Sequence, residues 1–263
     1  ISYCFICVSP PPSLVIGMPF VESDEQLLHA VVDRNLDAAE AALQAGASVN
    51  GLPETDRTPI AVATDANDVG MVDFLLQQGA CPNKPVTLEL ELANVSTRKN
   101  RLGVRALHIA ALRGNVKIVR LLLKGSRADP NATDNEGCTP LMLACSNTFG
   151  SLGVVRVLLE AGADPDMAAC LGLTPLHLAA QFGNVNLVHM LHCKTPGTLN
   201  RCSSNGTTPL YLACNHGHEG TVSKLLSVGA MQLEPSDDID VCPLAAAVHK
   251  GFMGVVRVLI NEG

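Results

Sequence analysis

No tryptophan occurs in the 263 residues, and phenylalanine and tyrosine number only six and two. The core must then come from Leu, Val, Ile and Ala, which suits closely packed helices better than an aromatic-rich sandwich. Charge is scarce as well: 16% of the residues, against a hydrophobic share of 47%. That balance excludes a disordered chain. A net charge of −7 excludes nucleic acid as the main partner, since phosphate binding needs a concentrated Lys/Arg surface. No apolar run reaches the about 20 residues of a membrane span. Residues 1–21 are uncharged, but Pro10-Pro11-Pro12 divides them, and three prolines remove helical N–H groups. The basic start and small-residue cleavage site of a signal peptide are missing too.

Catalytic signatures are equally absent. The chain has no phosphate-cradling G-x-x-x-x-G-K, no His-Glu-x-x-His and no G-x-S-x-G. No residue is placed to activate a nucleophile, so no enzyme activity and no cofactor are expected. Cys4-Phe-Ile-Cys7 has metal spacing, but two thiols cannot complete a four-ligand zinc site. Cys214-Asn-His216-Gly-His218 and His189-Val-Met-His192 read as packing or surface groups, and no metal site is assigned. Ten cysteines form no short-spaced disulfide framework, as free thiols do in a reducing compartment. The expected location is intracellular, in the cytoplasm.

What is present is a repeat. Thr-Pro stands at Thr58, Thr139, Thr174 and Thr208, and Cys242-Pro243 keeps the register. From Thr139 the steps are 35, 34 and 34 residues. Arg105-Ala106 and Gln26-Leu27 take the same place in two further units. Two residues on come Leu28, Ile60, Leu107, Leu141, Leu176, Leu210 and Leu244. An alanine follows at Ala63, Ala110, Ala144, Ala179, Ala213 and Ala247, with Val31 the exception. Then comes Asn35, Asn67, Gly114, Gly150, Gly183, Gly217 or Gly251, and eight residues later Leu43, Leu75, Leu122, Leu158, Leu191, Leu225 or Leu259.

One unit explains the residue types. Thr174 can cap a helix with its hydroxyl, and Pro175 suits the first position, where no N–H partner exists. Leu176 and Ala179 share a face, and the small Ala lets neighbouring helices approach. Gly183 ends the helix in a left-handed turn, which Asn35 and Asn67 can also adopt. Val185–Leu191 then gives a second helix with the stripe Leu187, Val188 and Leu191.

Asp134-Asn-Glu-Gly137, Thr139-Pro-Leu, Thr174-Pro-Leu-His177 and Leu158-Leu-Glu-Ala-Gly-Ala-Asp164 together resemble the ankyrin repeat, over about residues 24–263. The resemblance implies an all-α solenoid of about seven stacked helix-turn-helix units joined by β-turn fingers, with the C-terminus uncapped. The units fall near 24–57, 58–83, 103–136, 137–171, 172–205, 206–239 and 240–263. Segment 1–22 reads as a disordered leader, or as translation upstream of a start at Met18. The first unit opens polar at Ser23-Asp24-Glu25, as a cap. The last is apolar through Val258-Leu259-Ile260, so further repeats or another domain are expected after it. Insertion 84–102 should bulge from the fingers. Its Thr87-to-Ala93 alternation allows a short strand, and Arg98-Lys99-Asn100-Arg101 forms a basic cluster.

The resemblance also implies structural histidines at His108 and His177, and binding by the fingers and first-helix ends on a concave face. Candidate contact residues are Arg113, Phe149, Gln181, Phe182, Asn215, His216 and Lys250 at the helix ends, and Asn135 and Glu136 on a finger. Leu102, Leu171, Ser204 and Ile239 are further finger tips, and Phe182 with Arg113 forms the expected anchor. Asn94, Asn131 and Asn205 open glycosylation-like triplets that read as silent. The expected function is an adaptor for a protein or peptide. The alternative is the targeting arm of a larger kinase, ubiquitin-ligase component, acyltransferase or membrane channel.

Overall fold

The computed structural model describes residues 20–51, 57–90, 99–146, 152–232 and 242–262. Among them are seven helix-turn-helix pairs: α1 (Phe20–Val32) with α2 (Leu36–Gln44), α3 (Pro59–Asp65) with α4 (Val69–Gln77), α5 (Ala106–Arg113) with α6 (Val116–Leu123), α7 (Pro140–Cys145) with α8 (Leu152–Glu160), α9 (Pro175–Gln181) with α10 (Val185–Lys194), α11 (Pro209–Asn215) with α12 (Glu219–Ser227), and α13 (Pro243–Lys250) with α14 (Met253–Glu262). Each first helix packs on the next first helix, and from α4 onward each second helix packs on the next second helix. The leader through residue 19 lies outside the described residues.

The local chemistry follows the sequence. Thr58, Thr139 and Thr208 accept the N–H groups of Ala61, Met142 and Tyr211 at 3.3, 3.3 and 3.1 Å, and proline opens each of these helices. Gly114, Gly183, Gly217 and Gly251 all have φ between 73° and 76°. The next residue caps the second helix: Asp68 accepts from Met71 N–H, Asn115 from Ile118 and Asn184 from Leu187. The leucines Leu75, Leu122, Leu158, Leu191 and Leu225 are fully buried.

The first pair corrects the expected register by one residue. Asn35 is not the left-handed residue; it caps α2, accepting from Ala38 N–H at 3.1 Å, and Arg34 takes φ 56°. The unit then matches the second at a constant offset of 33, with Leu27, Ala30 and Ala42 standing where Ile60, Ala63 and Leu75 stand. Leu27 is fully buried, Leu28 only partly, and the apparent exception at Val31 disappears.

Three polar devices fix one pair on the next. His108 accepts Arg105 N–H on Nδ1 at 3.3 Å and donates from Nε2 to Cys138 O at 3.1 Å. His177 likewise accepts Thr174 N–H at 3.2 Å and donates to Thr207 O at 3.2 Å. Asparagines form the second device: Asn50, Asn83, Asn131 and Asn200 accept the N–H of Cys81, Asp129, Asp164 and Met231, each in the following unit. Asn131 also donates to Gly162 O, so its amide is committed to the fold rather than free for a glycan. The third device is the finger ladder: Asn135 N–H to Leu102 O, Cys170 N–H to Glu136 O, and Ser204 N–H to Leu171 O.

Insertion 84–102 supplies the expected strand, β1 (Val86–Leu90), and a second one, β2 (Lys99–Val104), paired with it antiparallel. Val86 and Val104 bury themselves against Ala61 and Ile109, with Leu112 alongside. Ala61 holds the place that His108 and His177 hold elsewhere, so an apolar contact replaces the ring's hydrogen bond at this joint. Arg101, from the basic cluster, pairs with Asp134 and Glu136 of the next finger; Arg98 lies outside the described residues.

Burial, followed by smaller charge effects, lowers His108 from its usual 6.5 to about 4, and lowers His177 in the same direction. A depressed histidine means that the unfolded chain binds the extra proton. This stability is therefore complete above pH 6.5 and is lost as pH falls toward 4. Urea unfolding at pH 7.5 and pH 5 should differ by about 2 kcal/mol on account of His108. His108→Gln should lower stability at both pH values and remove most of that difference. An undiminished difference in the variant would assign the acid sensitivity to other groups.

Candidate partner-binding surface

The finger tips and first-helix ends lie along one side of the stack, and their two halves differ. In the N-terminal half the chain takes up part of this surface itself, though the finger-tip Leu102 is 50% exposed. The β1–β2 hairpin covers Ala61 and Ile109. Arg113 is engaged at the end of α5, with Nε and Nη2 donating to Asp65 at 2.9 and 2.7 Å. Asn115 donates to Asn67 beside it. Helix α7 stands between α5 and α9, so Arg113 and Phe182 are not brought into contact as a shared anchor.

The C-terminal half is open. Gln181, Phe182 and Asn215 are half-buried, and His216 and Lys250 are exposed. The His216 ring stacks on that of His218, with centroids 6.2 Å apart. His218 donates to Gln181 O at 2.8 Å. Its ring also fills the space in which a Cβ on Gly183 would lie, 2.5 Å from Nδ1. A side chain at position 183 would thus displace the ring as well as strain the backbone. Phe149 and Ile239 lie outside the described residues.

The fingers carry the remaining candidates. Asn135 is exposed and Glu136 half-buried, and Asp134 Oδ1 accepts the N–H groups of Glu136 and Cys138 at 3.0 and 2.8 Å, which shapes that turn. The next finger differs. Leu171 sits at φ 68°, ψ 10° with 57% of its surface exposed. The Gly172 N–H to Ala169 O bond closes the turn around Cys170 and Leu171, and this conformation ordinarily calls for Gly or Asn at Leu171. Leucine there bears backbone strain and gains little burial in return.

Among the described residues no three His, Cys, Asp or Glu side chains converge as metal ligands. No helix there is long and apolar enough to cross a membrane. Burial pushes the Cys145 and Cys214 thiols up to about 12, which suits their place as packed core groups.

Sequence reasoning missed the asparagine ladder, although its signal is plain. Asn50, Asn131 and Asn200 stand eight residues before Thr58, Thr139 and Thr208. At the corresponding place before Thr174 stands Asp166, which accepts from Arg201 instead.

Comparison with known proteins agrees with this architecture. A family model of three ankyrin repeats matches residues 87–169 and 176–263. A model of many ankyrin repeats matches 148–192, and a single-repeat model matches 55–85. The chain belongs to the ankyrin-repeat family. It is 30% identical over 177 residues to alpha-latrocrustotoxin-Lt1a of Latrodectus tredecimguttatus, covering 66% of this chain and 11% of the toxin. Ankyrin repeat protein YahD of Escherichia coli is 29% identical over 185 residues, covering 68% of this chain and 85% of that protein. Transient receptor potential cation channel subfamily A member 1 of Homo sapiens is 29% identical over 134 residues, 51% of this chain and 10% of the channel. The chain thus spans a small part of the toxin and the channel and most of YahD.

Leu171→Asn should raise stability by about 0.5–1 kcal/mol, because asparagine tolerates the left-handed turn that leucine resists. Denaturant unfolding reads this directly. A loss of stability would mean that the leucine side chain is part of the folded core.

Proposed function

We propose that this chain is an adaptor that holds a protein or peptide partner against its finger tips and first-helix ends. Ankyrin repeats are generally protein-interaction modules, and the chain carries no catalytic motif. The observation that carries the reading is the contrast along one surface. Arg113 is ion-paired to Asp65 and Ile109 is covered by the hairpin, while His216, Lys250 and Leu171 are exposed and Phe182 is half-buried. A partner would therefore rest mainly on α9, α11 and α13 and on the finger at Leu171. Gln181 and Asn215 would supply polar contacts, with Asn135 and Glu136 on the preceding finger. Affinity would come from shape and a few anchors, as it does in protein interfaces with a small energetic centre. The eight free cysteines among the described residues favour a reducing, intracellular setting.

A second reading is that the array is the targeting arm of a larger protein. The small share of the toxin and the channel that it covers favours this. The two readings agree on the surface and differ in what it delivers.

Phe182→Asp separates a contact residue from a core residue. Melting is expected to be nearly unchanged, while capture of the partner recovered with the unaltered chain is lost. A collapse in melting temperature would place the ring in the core and remove it from the binding surface.

A further inference from the structure

The second helices turn their outer sides away from the stack, and over the first four pairs the charge there changes sign once. The fifth residue of each helix is Glu40 in α2, Asp73 in α4, Arg120 in α6 and Arg156 in α8. Glu40, Arg120 and Arg156 are exposed and Asp73 is half-buried. None of the four forms an ion pair with a described residue. Glu40 and Asp73 accept only from Gln44 and Gln77, one turn on. Asp73 and Arg120 stand on helices packed side by side and still leave each other unpaired.

A residue one turn earlier lies on the same side of a helix. The first residues are Leu36, Val69, Val116 and Leu152, so an aliphatic row runs beside the charged one. Leu36 is 44% exposed and the other three are half-buried. At the second place Asp37 and Lys117 carry charge, whereas Gly70 and Gly153 leave exposed backbone.

The order acid, acid, base, base is its own complement when reversed. A two-fold axis parallel to the second helices, passing between α4 and α6, sets α2 against α8 and α4 against α6 of another copy. Glu40 then meets Arg156 and Asp73 meets Arg120, each twice. Leu36 meets Leu152 and Val69 meets Val116. Asp37 falls on Gly153, one turn from Arg156, and Lys117 falls on Gly70, one turn from Asp73. At the ninth place Gln44 faces Glu160 and Gln77 faces Lys124, so no like charges stand opposite each other.

We propose that the outer side of α2, α4, α6 and α8 is an interface for a second copy of this chain, packed back to back and antiparallel. An acidic partner of another kind would suit Arg120 and Arg156 but would set like charge against Glu40 and Asp73. A basic partner has the converse fault. The reversed copy satisfies both halves at once. Four helices about 10 Å apart and about 13 Å long cover about 500 Å² per copy. That is less than the about 800 Å² per partner of a standard interface, so the dimer is weak, concentration-dependent and sensitive to salt. It leaves the finger tips of both copies free. One dimer would hold two partners, and a partner with two binding segments would gain avidity from it.

Sedimentation equilibrium over a range of concentrations, in about 0.1 M and about 1 M salt, tests the proposal, since the Debye length falls from about 10 Å to about 3 Å. Dimer should build up with concentration at the lower salt, and its dissociation constant should rise by about tenfold or more at the higher. Two reversed chains sharpen the test, one carrying Glu40→Arg and Asp73→Arg, the other Arg120→Glu and Arg156→Glu. Each alone should stay monomeric, and an equimolar mixture should dimerise, because the swap restores every pair. A chain that is monomeric at every concentration at the lower salt would overturn the proposal, as would a dimer indifferent to salt. Either reversed chain dimerising like the unaltered one would place the interface elsewhere. The salt series on the unaltered chain decides the matter even where a reversed chain folds poorly.

Discussion

A two-helix unit of about 33 residues cannot bury both of its faces alone, and every feature of this chain answers that constraint. The first-helix residue turned toward the next pair is an alanine or cysteine in four consecutive units, which lets the helices close up. The leucine stripe of each second helix fills the space behind. Hydrophobic contact of this kind is non-directional, so it leaves the register between pairs open. The hydrogen bonds supply that register. Asparagine carboxamides, histidine rings and single finger-to-finger bonds each tie one unit to the next at a fixed atom.

The same arrangement explains where a binding surface can form. The stacking contacts consume two faces of each pair, and the asparagine ladder occupies the stem. The finger tips and first-helix ends are left over, and their composition can vary without loosening the stack. In the N-terminal half the insertion and the Asp65–Arg113 ion pair use this surface internally. At 44% and 39% side-chain exposure, that pair adds little to stability, but it holds the guanidinium close to α3. In the C-terminal half His216 and Lys250 are exposed, and a leucine accepts an unfavourable turn to stand at the surface.

Much of this was legible in the amino-acid order. Thr-Pro, the alanine, the glycine and the leucine keep fixed offsets because each does one geometric task, so pair boundaries and core residues could be read directly. The first unit slipped by one residue because it lacks Thr-Pro, and Leu27-Leu28 offers two equally apolar choices. Only the cap at Asn35 settles the matter. The second strand of the hairpin was not foreseen because Lys99–Val104 mixes charge, amide and glycine, and its pairing depends on β1. The Asp65–Arg113 pair spans 48 residues, and no local pattern announces it. Nor could exposure at Val248 be read from order alone, since the same place is buried in six other units.

The central claim is that recognition takes place on the open half of the finger side. Hydrogen–deuterium exchange of the chain, free and bound to its captured partner, tests it most directly. Protection should rise at residues 169–172, 181–183, 203–206 and 215–218 and should leave the outer surfaces of the second helices unchanged. Protection confined to the second helices, or spread evenly through the stack, would contradict the account.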